Sequence, residues 1–202
     1  MNLREFKDRI LALPWVYDSV RPLAAGGIDL KLLASFCGLS PEARVFDLGC
    51  GTARLLEYLP CEQYLGSDLD PRALGRAARL SSDKVRFIQG DTWDDAYRSI
   101  RPTVVLMIGV VHHVSDEAFA SIIDRLRRID PPPGRLVTID VSFFPGRAVN
   151  NLLSRLDRGR HVRRPSEYER LFEGCRLRIL RRDILPTRMG YVRYVGYHLA
   201  LT

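Results

Sequence analysis

A carboxylate and two closely spaced glycines form the segment of this chain most suited to ligand chemistry. Asp47 ends a short apolar run, Gly49 and Gly51 follow it, and apolar residues resume at Leu55. A strand, a glycine loop and a helix in this order receive a nucleotide-like ligand at the carboxyl end of the first strand of an α/β sheet. Glycines let the backbone approach such a ligand without an intervening Cβ atom. We therefore predict a ligand site at this loop and a helix over residues 53–59.

Three carboxylates end three successive predicted strands: Asp47, Asp68 and Asp91. We expect them to line one anionic crevice, which suits a cationic ligand better than a diphosphate. Asp68 has the spacing of a carboxylate that binds a ribose diol. A dinucleotide fingerprint reads G-x-G-x-x-G/A, and Arg54 occupies the position of its third small residue. The large charged side chain argues against an NAD-linked oxidoreductase.

Four stretches of the chain resemble a class I S-adenosylmethionine-dependent methyltransferase. They occur in the family's order within residues 40–142 and depart from it mildly at Ala53, where the family often has a third glycine. The stretches are Val45-Phe-Asp-Leu-Gly-Cys-Gly-Thr52, Gly66-Ser-Asp-Leu-Asp-Pro71, Ile88-Gln-Gly-Asp-Thr92 and Leu106-Met-Ile-Gly-Val-Val-His-His-Val114. The resemblance implies S-adenosyl-L-methionine as the cofactor.

Alternating strand and helix patterns predict an α/β fold with a doubly wound, mostly parallel sheet. The predicted strands cover residues 43–47, 63–67, 84–89, 103–109, 135–141, 176–183 and 191–201. The resemblance implies a seven-stranded, Rossmann-like sheet whose antiparallel last strand belongs to a C-terminal hairpin. Helical spacing of apolar residues over 3–13 and at Leu30, Leu33 and Phe36, closed by Gly38, predicts an N-terminal helical cap.

The resemblance places cofactor contacts at the ends of the first four strands. The glycine loop would lie against the methionine portion, with Asp47 near its amino group. Asp68 would bind the ribose and Asp91 the adenine amino group. The predicted set is Asp47, Gly49, Cys50, Gly51, Asp68, Leu69, Asp91, Thr92 and Ile108. Asp47 could instead only anchor loop amides, and Asp91 could cap the following helix.

Two adjacent histidines, His112 and His113, follow the fourth predicted strand, where an acceptor would meet the methyl group. An imidazole can take a proton from a hydroxyl or an amine, since its pKa lies near the working pH. Adjacent residues leaving a strand point in opposite directions, so we expect at most one of the two to face the site. We favour His113 as the catalytic base, because it matches the histidine of related enzymes. A structural role for both histidines is the alternative.

Positive charge is concentrated in the last quarter of the chain. The net charge is +7, and residues 147–202 hold 13 arginines against 5 acidic residues. This asymmetry indicates an anionic acceptor or a nucleic acid near that region. We predict that Arg160 and Arg163 of a basic loop contact the acceptor, together with Tyr17 of the cap and Tyr191 of the hairpin. An ordinary solvated loop is the alternative.

The length of 202 residues predicts one domain. Within it we expect a helical cap over residues 1–40, a cofactor-binding core over residues 41–142, and a substrate-side insertion with the hairpin over residues 143–202. The four cysteines match no zinc or redox spacing, no apolar run reaches the length of a membrane span, and the N-terminus lacks a signal core. We expect a cytoplasmic protein with reduced thiols and no metal.

The predicted reaction is methyl transfer to an oxygen or nitrogen of a small acceptor, such as an anionic metabolite, a sugar or a lipid-linked intermediate. The chain leaves no room for a separate substrate domain. An RNA methyltransferase that uses the basic region is the first alternative. Against it, an Asn-Pro-Pro-Tyr-type motif is missing after the fourth strand and the sequence shows no aromatic stacking platform. A cofactor-binding scaffold without turnover is the second alternative.

Overall fold

The computed structural model describes residues 27–157 and 159–201, and these contain a single seven-stranded sheet. The strands are β1 Arg44–Leu48, β2 Gln63–Asp68, β3 Val85–Gln89, β4 Val104–Ile108, β5 Arg135–Val141, β6 Leu177–Pro186 and β7 Arg193–Leu201. Their order in the sheet is β3-β2-β1-β4-β5-β7-β6. The first five strands pair in parallel, and β7 runs antiparallel to both β5 and β6. The predicted doubly wound sheet with an antiparallel last strand is confirmed.

Helices connect the strands and flank the sheet. In the described residues they are α1 Leu30–Cys37, α2 Pro71–Ala77, α3 Asp94–Ile100, α4 Asp116–Arg128, α5 Ala148–Arg155 and α6 Pro165–Gly174. Side-chain capping explains where two of these helices begin. The Asp70 side chain accepts a hydrogen bond from the Arg72 backbone before α2, and the Ser115 side chain accepts one from the Ala118 backbone in α4.

The predicted helix over residues 53–59 is wrong. The segment consists of turns and one 3-10 turn at Leu56–Tyr58. Ala53 adopts a φ of +55°, which a right-handed helix does not allow, and Pro60 cannot donate a backbone hydrogen bond. Leu55 and Leu59 are nevertheless buried. The apolar spacing therefore reflects contact with the core and not a regular helix.

Apolar side chains cover both faces of the sheet. Successive residues of β1 point to opposite faces, so Val45 packs in the layer that contains Phe36, whereas Phe46 packs with Trp93 and Tyr97. Helices and loops shield both faces. The carboxyl edge of the parallel strands is the part left open for a ligand.

The cap predicted over residues 1–40 is described in part. Helix α1 lies where the apolar spacing predicts it and ends at Gly38, whose φ is +56°. The preceding residues of the cap, including Tyr17, lie outside the described residues. Within residues 27–157 and 159–201, every helix is too short or too polar to cross a membrane.

Candidate active site

A cleft of about 1410 Å³ opens at the carboxyl edge of the parallel strands. Ligands of open α/β sheets bind at this edge, where the strand order reverses. In this sheet the reversal falls between β1 and β4. The loops after β1, β2, β3 and β4 line one part of the cleft, while α5, β5 and β7 line the other.

The glycine loop is pinned to the neighbouring strand. The backbone N–H groups of Gly49 and Cys50 both donate to the Ser67 carbonyl, at 2.7 and 3.0 Å. A Cβ atom at Gly49 would lie 2.5 Å from Val110, so a larger residue does not fit. A Cβ atom at Gly51 would meet nothing within 4 Å. The loop therefore leaves open space beside Gly51 for a ligand to approach the backbone.

Asp68 ties the end of β2 to the glycine loop. Its Oδ2 atom accepts a hydrogen bond from the Gly51 backbone at 2.7 Å, and its Oδ1 atom accepts one from the Asp70 backbone at 2.8 Å. Each carboxylate oxygen can accept a second hydrogen bond. The Asp68 carboxylate is therefore fixed in orientation and retains the capacity to accept from two hydroxyls.

Asp47 is a buried carboxylate in the wall of the cleft. Burial raises its pKa to about 7; the hydrogen bond from Tyr64 opposes this shift, and the charge of Asp68 adds to it. The Tyr64 hydroxyl donates to Oδ2 at 2.6 Å, whereas Oδ1 has no hydrogen-bond partner among the described residues. A buried acceptor of this kind fits a ligand that carries a positively charged or donating group.

The loop after β3 is held by one arginine. Arg125 donates to the Asp91 carbonyl at 2.6 Å, pairs with Asp94 at 2.7 Å, and lies 4.0 Å from the centre of the Trp93 ring. Asp91 lines the cleft, and its side chain does not cap α3. Thr92 is exposed and does not line the cleft, in contrast to our prediction, because the chain turns here to bury Trp93.

The other predicted cofactor residues line the cleft. Leu69 lines the cleft and is 75 % exposed, so its side chain presents an apolar surface to solvent or to a ligand. Ile108 lines the cleft at the end of β4, and Cys50 lines it within the glycine loop. Burial raises the pKa of the Cys50 thiol well above its usual range, which keeps the thiol protonated.

Both histidines line the cleft. They lie on a 3-10 turn, Val111–His113, with ring centres 4.1 Å apart. The expectation that at most one of them faces the site is wrong, because the chain leaves β4 in a 3-10 turn and not in an extended conformation. His112 is buried, whereas His113 is exposed.

His112 lies between two buried carboxylates. Its Nδ1 atom is 2.7 Å from Oδ1 of Asp140, which also accepts the backbone N–H of His112 at 3.1 Å. Its Nε2 atom is 3.2 Å from Oδ1 of Asp157, and the two atoms are not aligned for a hydrogen bond. This side of the cleft thus contains two imidazoles and a carboxylate.

Comparison with known families identifies the central part of the chain. Residues 45–134 match the family model described as a methyltransferase domain, and the match includes the glycine loop, Asp68, Asp91 and both histidines. These residues form a methyltransferase domain of the class I, S-adenosylmethionine-dependent type. Its cofactor is S-adenosyl-L-methionine.

Solved structures of methyltransferases share this fold. CalO1, a methyltransferase of calicheamicin biosynthesis solved in its SAH-bound form, is 20% identical with a TM-score of 0.67, over 96% of this chain and 60% of CalO1. The mitomycin 7-O-methyltransferase MmcR is 25% identical with a TM-score of 0.60, over 98% and 57%. Sp1610 of Streptococcus pneumoniae, a proposed tRNA methyltransferase, is 15% identical with a TM-score of 0.58, over 85% and 68%. No curated protein matches the sequence.

The basic loop of the methyltransferase is not the acceptor contact that its charge suggested. Arg163 is buried, and its guanidinium donates to the carbonyls of Val111, Val114 and His161 and to the carboxylate of Asp116. These five hydrogen bonds use all five of its N–H groups. The prediction that Arg163 contacts the acceptor is wrong, because its side chain holds the turn that carries the histidines.

Two other residues that we predicted to contact the acceptor do not line the cleft. Arg160 is exposed and does not line the cleft. Tyr191 is 51 % exposed and also outside the lining, because the neighbouring Val192 and Tyr194 point into the cleft instead. Neither residue lines the cleft in the described structure, and their contact with the acceptor stays a prediction.

The two carboxylates beside His112 were not predicted as site residues from the sequence. Asp140 lies in β5, next to β4, so a search for acidic residues on the neighbouring strand could have found it. Asp157 follows α5 and has no local signal. It reaches the histidine because the loop folds onto the 3-10 turn: His161 donates its backbone N–H to the His112 carbonyl at 3.0 Å, and Gly159 packs against the His112 ring.

Proposed function

We propose that this methyltransferase transfers its methyl group to a hydroxyl oxygen of a small acceptor, which binds beside His112, His113 and Asp157. The observation that carries the proposal is the position of His112 in the cleft wall, oriented by Asp140. Methylation of a neutral hydroxyl requires the loss of a proton, and this cluster offers the groups that assist it.

The cofactor would bind in the other half of the cleft. S-adenosyl-L-methionine supplies a methyl group on a positively charged sulfur. Asp68 is oriented to accept from the ribose hydroxyls, Asp91 lies where the adenine amino group is expected, and Asp47 offers a buried acceptor to the cationic methionine portion. The open space beside Gly51 admits the ligand against the backbone.

The reaction we propose is a direct displacement. A lone pair of the acceptor oxygen forms the new O–CH3 bond as the S–CH3 bond breaks, and the electron pair of that bond stays on sulfur. The acceptor proton leaves through the histidine and carboxylate cluster to solvent. Holding oxygen, carbon and sulfur in line can itself supply about 7–11 kcal/mol.

A small acceptor suits the acceptor side of the cleft. Leu153 and Leu156 of the α5 region, together with Val192 and Tyr194, give this side an apolar wall near the polar cluster. An apolar body with one reactive hydroxyl would match such a wall. An anionic group on the acceptor is no longer required, since Arg163 is committed to hydrogen bonds within the protein.

RNA is the second candidate acceptor, favoured by the 13 arginines of residues 147–202 and by the fold shared with Sp1610. Two of these arginines on β6 already contact acidic groups: Arg181 pairs with Asp183, and Arg182 lies 3.1 Å from Glu169. This partial neutralisation weakens the case for a continuous phosphate-binding surface.

The test begins with binding and continues with turnover. Calorimetry should detect S-adenosylhomocysteine binding without nucleic acid, and this binding should be weakened in Asp68→Asn. Incubation with S-adenosylmethionine and a panel of small phenols and alcohols should then release S-adenosylhomocysteine and add one methyl group by mass spectrometry. Methylation of RNA but of no small acceptor would overturn the proposal. Binding without turnover on either class would support the scaffold alternative.

A further inference from the structure

We propose that His112, His113 and Asp157 bind a divalent first-row transition-metal cation on the acceptor side of the cleft. The inference rests on the proposed function and deepens it, because the cation would hold the acceptor oxygen and assist the loss of its proton. It also departs from our expectation that the protein has no metal, which considered only the spacing of the cysteines.

The three side chains meet as ligands of one ion do. One ligand atom from each, two imidazole nitrogens and a carboxylate oxygen, lies within 4.8 Å of the other two. Nε2 of His112 and Oδ1 of Asp157 are 3.2 Å apart. Two atoms that share a tetrahedral ion at about 2.0–2.2 Å are separated by roughly 3.3–3.6 Å. The His112–Asp157 pair is already close to this separation, and a ring nitrogen of His113, within 4.8 Å, would move closer to complete the set.

Asp140 orients the His112 ring from the side opposite the proposed metal site. Asp140 lies 2.7 Å from Nδ1 of His112, and this contact assigns the ring proton to Nδ1 and the lone pair to Nε2. Metal-binding histidines regularly donate their second ring N–H to a carboxylate in this way, which fixes the ring and makes the ligating nitrogen more basic. Asp140 would thus be an outer-shell partner and Asp157 a direct ligand.

The second, independent observation is the environment of the Nε2 atom of His112. The His112 side chain is 3 % exposed, and Nε2 has no hydrogen-bond partner among the described residues. The nearest carboxylate oxygen, Oδ1 of Asp157, lies off the direction in which an N–H would point. Buried nitrogens of this kind are normally paired. A cation would satisfy Nε2 and also contact Oδ1 of Asp157, which accepts the Gly159 backbone N–H at 2.8 Å, since ligands of one ion need not point at each other.

The fold holds the third ligand in place. Residues that follow Asp157 contact the 3-10 turn directly: a Cβ atom at Gly159 would lie 2.2 Å from the His112 ring, and Arg163 donates to the carbonyls of Val111 and Val114. These contacts bring a carboxylate from beyond α5 to a histidine 45 positions earlier in the chain. The cluster is therefore built by tertiary contacts and not by chance proximity of flexible side chains.

Three protein ligands leave at least one coordination position open toward the cleft, as in catalytic metal sites. A hydroxyl bound there has a lowered pKa, so its proton passes to solvent and its oxygen retains the electron pair that forms the O–CH3 bond. No electron is exchanged with the metal in this step. A mixed nitrogen and oxygen ligand set favours ions such as Zn²⁺, Co²⁺ or Mn²⁺ over Mg²⁺ or Ca²⁺.

The test uses full-length, tag-free protein that has been stripped with a chelator. Zn²⁺ titration by calorimetry measures stoichiometry and affinity, and Co²⁺ titration reports nitrogen and oxygen coordination in its visible absorption. Variants Asp157→Asn and His113→Gln remove one ligand each, and Asp140→Asn perturbs only the orientation of His112. His161→Gln is the matched control, because this histidine of the same loop lies outside the cluster.

We expect one saturable Zn²⁺ per chain, lost or weakened at least tenfold in Asp157→Asn and His113→Gln. Asp140→Asn should weaken it by about 10–100-fold. His161→Gln should retain it. S-adenosylhomocysteine binding confirms that each variant is folded. His113 is exposed, so its variant remains informative if Asp157→Asn fails to fold.

Two results would overturn the metal site: no saturable Zn²⁺ binding by the parent protein, or equal affinity in the parent and in both ligand variants. Since the titration needs no acceptor, either result would leave the proposed O-methylation standing with a metal-free histidine cluster. Conversely, a metal-bound protein that methylates only RNA would support the site and remove the proposed function.

Discussion

The Nδ1 atom of His112 lies 2.7 Å from Oδ1 of Asp140 on the neighbouring strand. The contact joins the end of β4 to β5 at the carboxyl edge of the sheet. It fixes the orientation of the imidazole ring through Nδ1. The other ring nitrogen, Nε2, then lies on the cleft side, next to Asp157. The arrangement shows that the protein holds the His112 ring in a defined orientation.

His112→Gln should lower the turnover number by about 10²–10⁴-fold, the range for a group that assists proton transfer. The affinity for S-adenosylhomocysteine should remain, because the hydrogen bonds of His112 go to Asp140 while those of Asp68 go to Gly51 and Asp70. Single-turnover kinetics with a methylated product readout would measure the effect. Full activity of this variant, with loss of activity in His113→Ala, would return the role to His113.

Asp68→Asn should weaken S-adenosylhomocysteine binding by about 1.5–3 kcal/mol, the range for hydrogen bonds to a charged group. The amide retains one acceptor oxygen but offers donors where a ribose hydroxyl would donate. Calorimetry measures the affinity, and thermal unfolding separates it from loss of the backbone contacts to Gly51 and Asp70. Unchanged affinity in a folded variant would remove Asp68 from the cofactor site.

Binding of the cofactor should depend on pH through Asp47. Its pKa of about 7 means that the carboxyl is mostly protonated at lower pH. A cationic ligand favours the ionised form, so affinity should rise between about pH 6 and pH 8 and ligand binding should release a proton. Calorimetry in buffers of different ionisation enthalpy measures that proton. Asp47→Asn should flatten the profile, and an unchanged profile in this variant would assign the dependence to another group.

The stability of the ligand-free protein should respond in the opposite direction. The pKa of Asp47 is raised from 3.8 to about 7 in the folded state. The stabilisation from keeping this carboxyl protonated is fully present below pH 3.8 and is lost as pH rises through about 7. Denaturant unfolding should therefore show Asp47→Asn gaining stability relative to the parent as pH increases. A constant difference would argue against the raised pKa.

Arg163→Gln should reduce the free energy of unfolding by at least about 1–3 kcal/mol, since it leaves buried carbonyls without donors. Arg160→Gln is the matched control on the same loop. It should change stability by no more than about 0.5 kcal/mol, because the side chain is exposed. Denaturant unfolding measures both. Equal, small effects would mean that Arg163 does not hold the histidine turn.

Local patterns in the sequence predict the sheet and most of the cofactor half of the site. Parallel strands place their carboxyl ends at one edge, so Asp47, Asp68 and Asp91 are brought together by a general rule of the fold. The glycine loop is predictable for the same reason. The actual conformation of residues 53–59 was not predictable, because apolar spacing indicates burial and does not reveal the positive φ of Ala53.

Only the tertiary structure determines the arrangement of residues in the half of the cleft that we assign to the acceptor. Asp157 meets His112 because a loop folds back over the turn, and the partners of Arg163 are mostly backbone carbonyls, which leave no trace in residue types. A run of arginines looks the same in sequence whether its side chains face solvent or hold the interior together. The difference depends on where the backbone places unpaired carbonyls, and that is determined by packing across the whole chain.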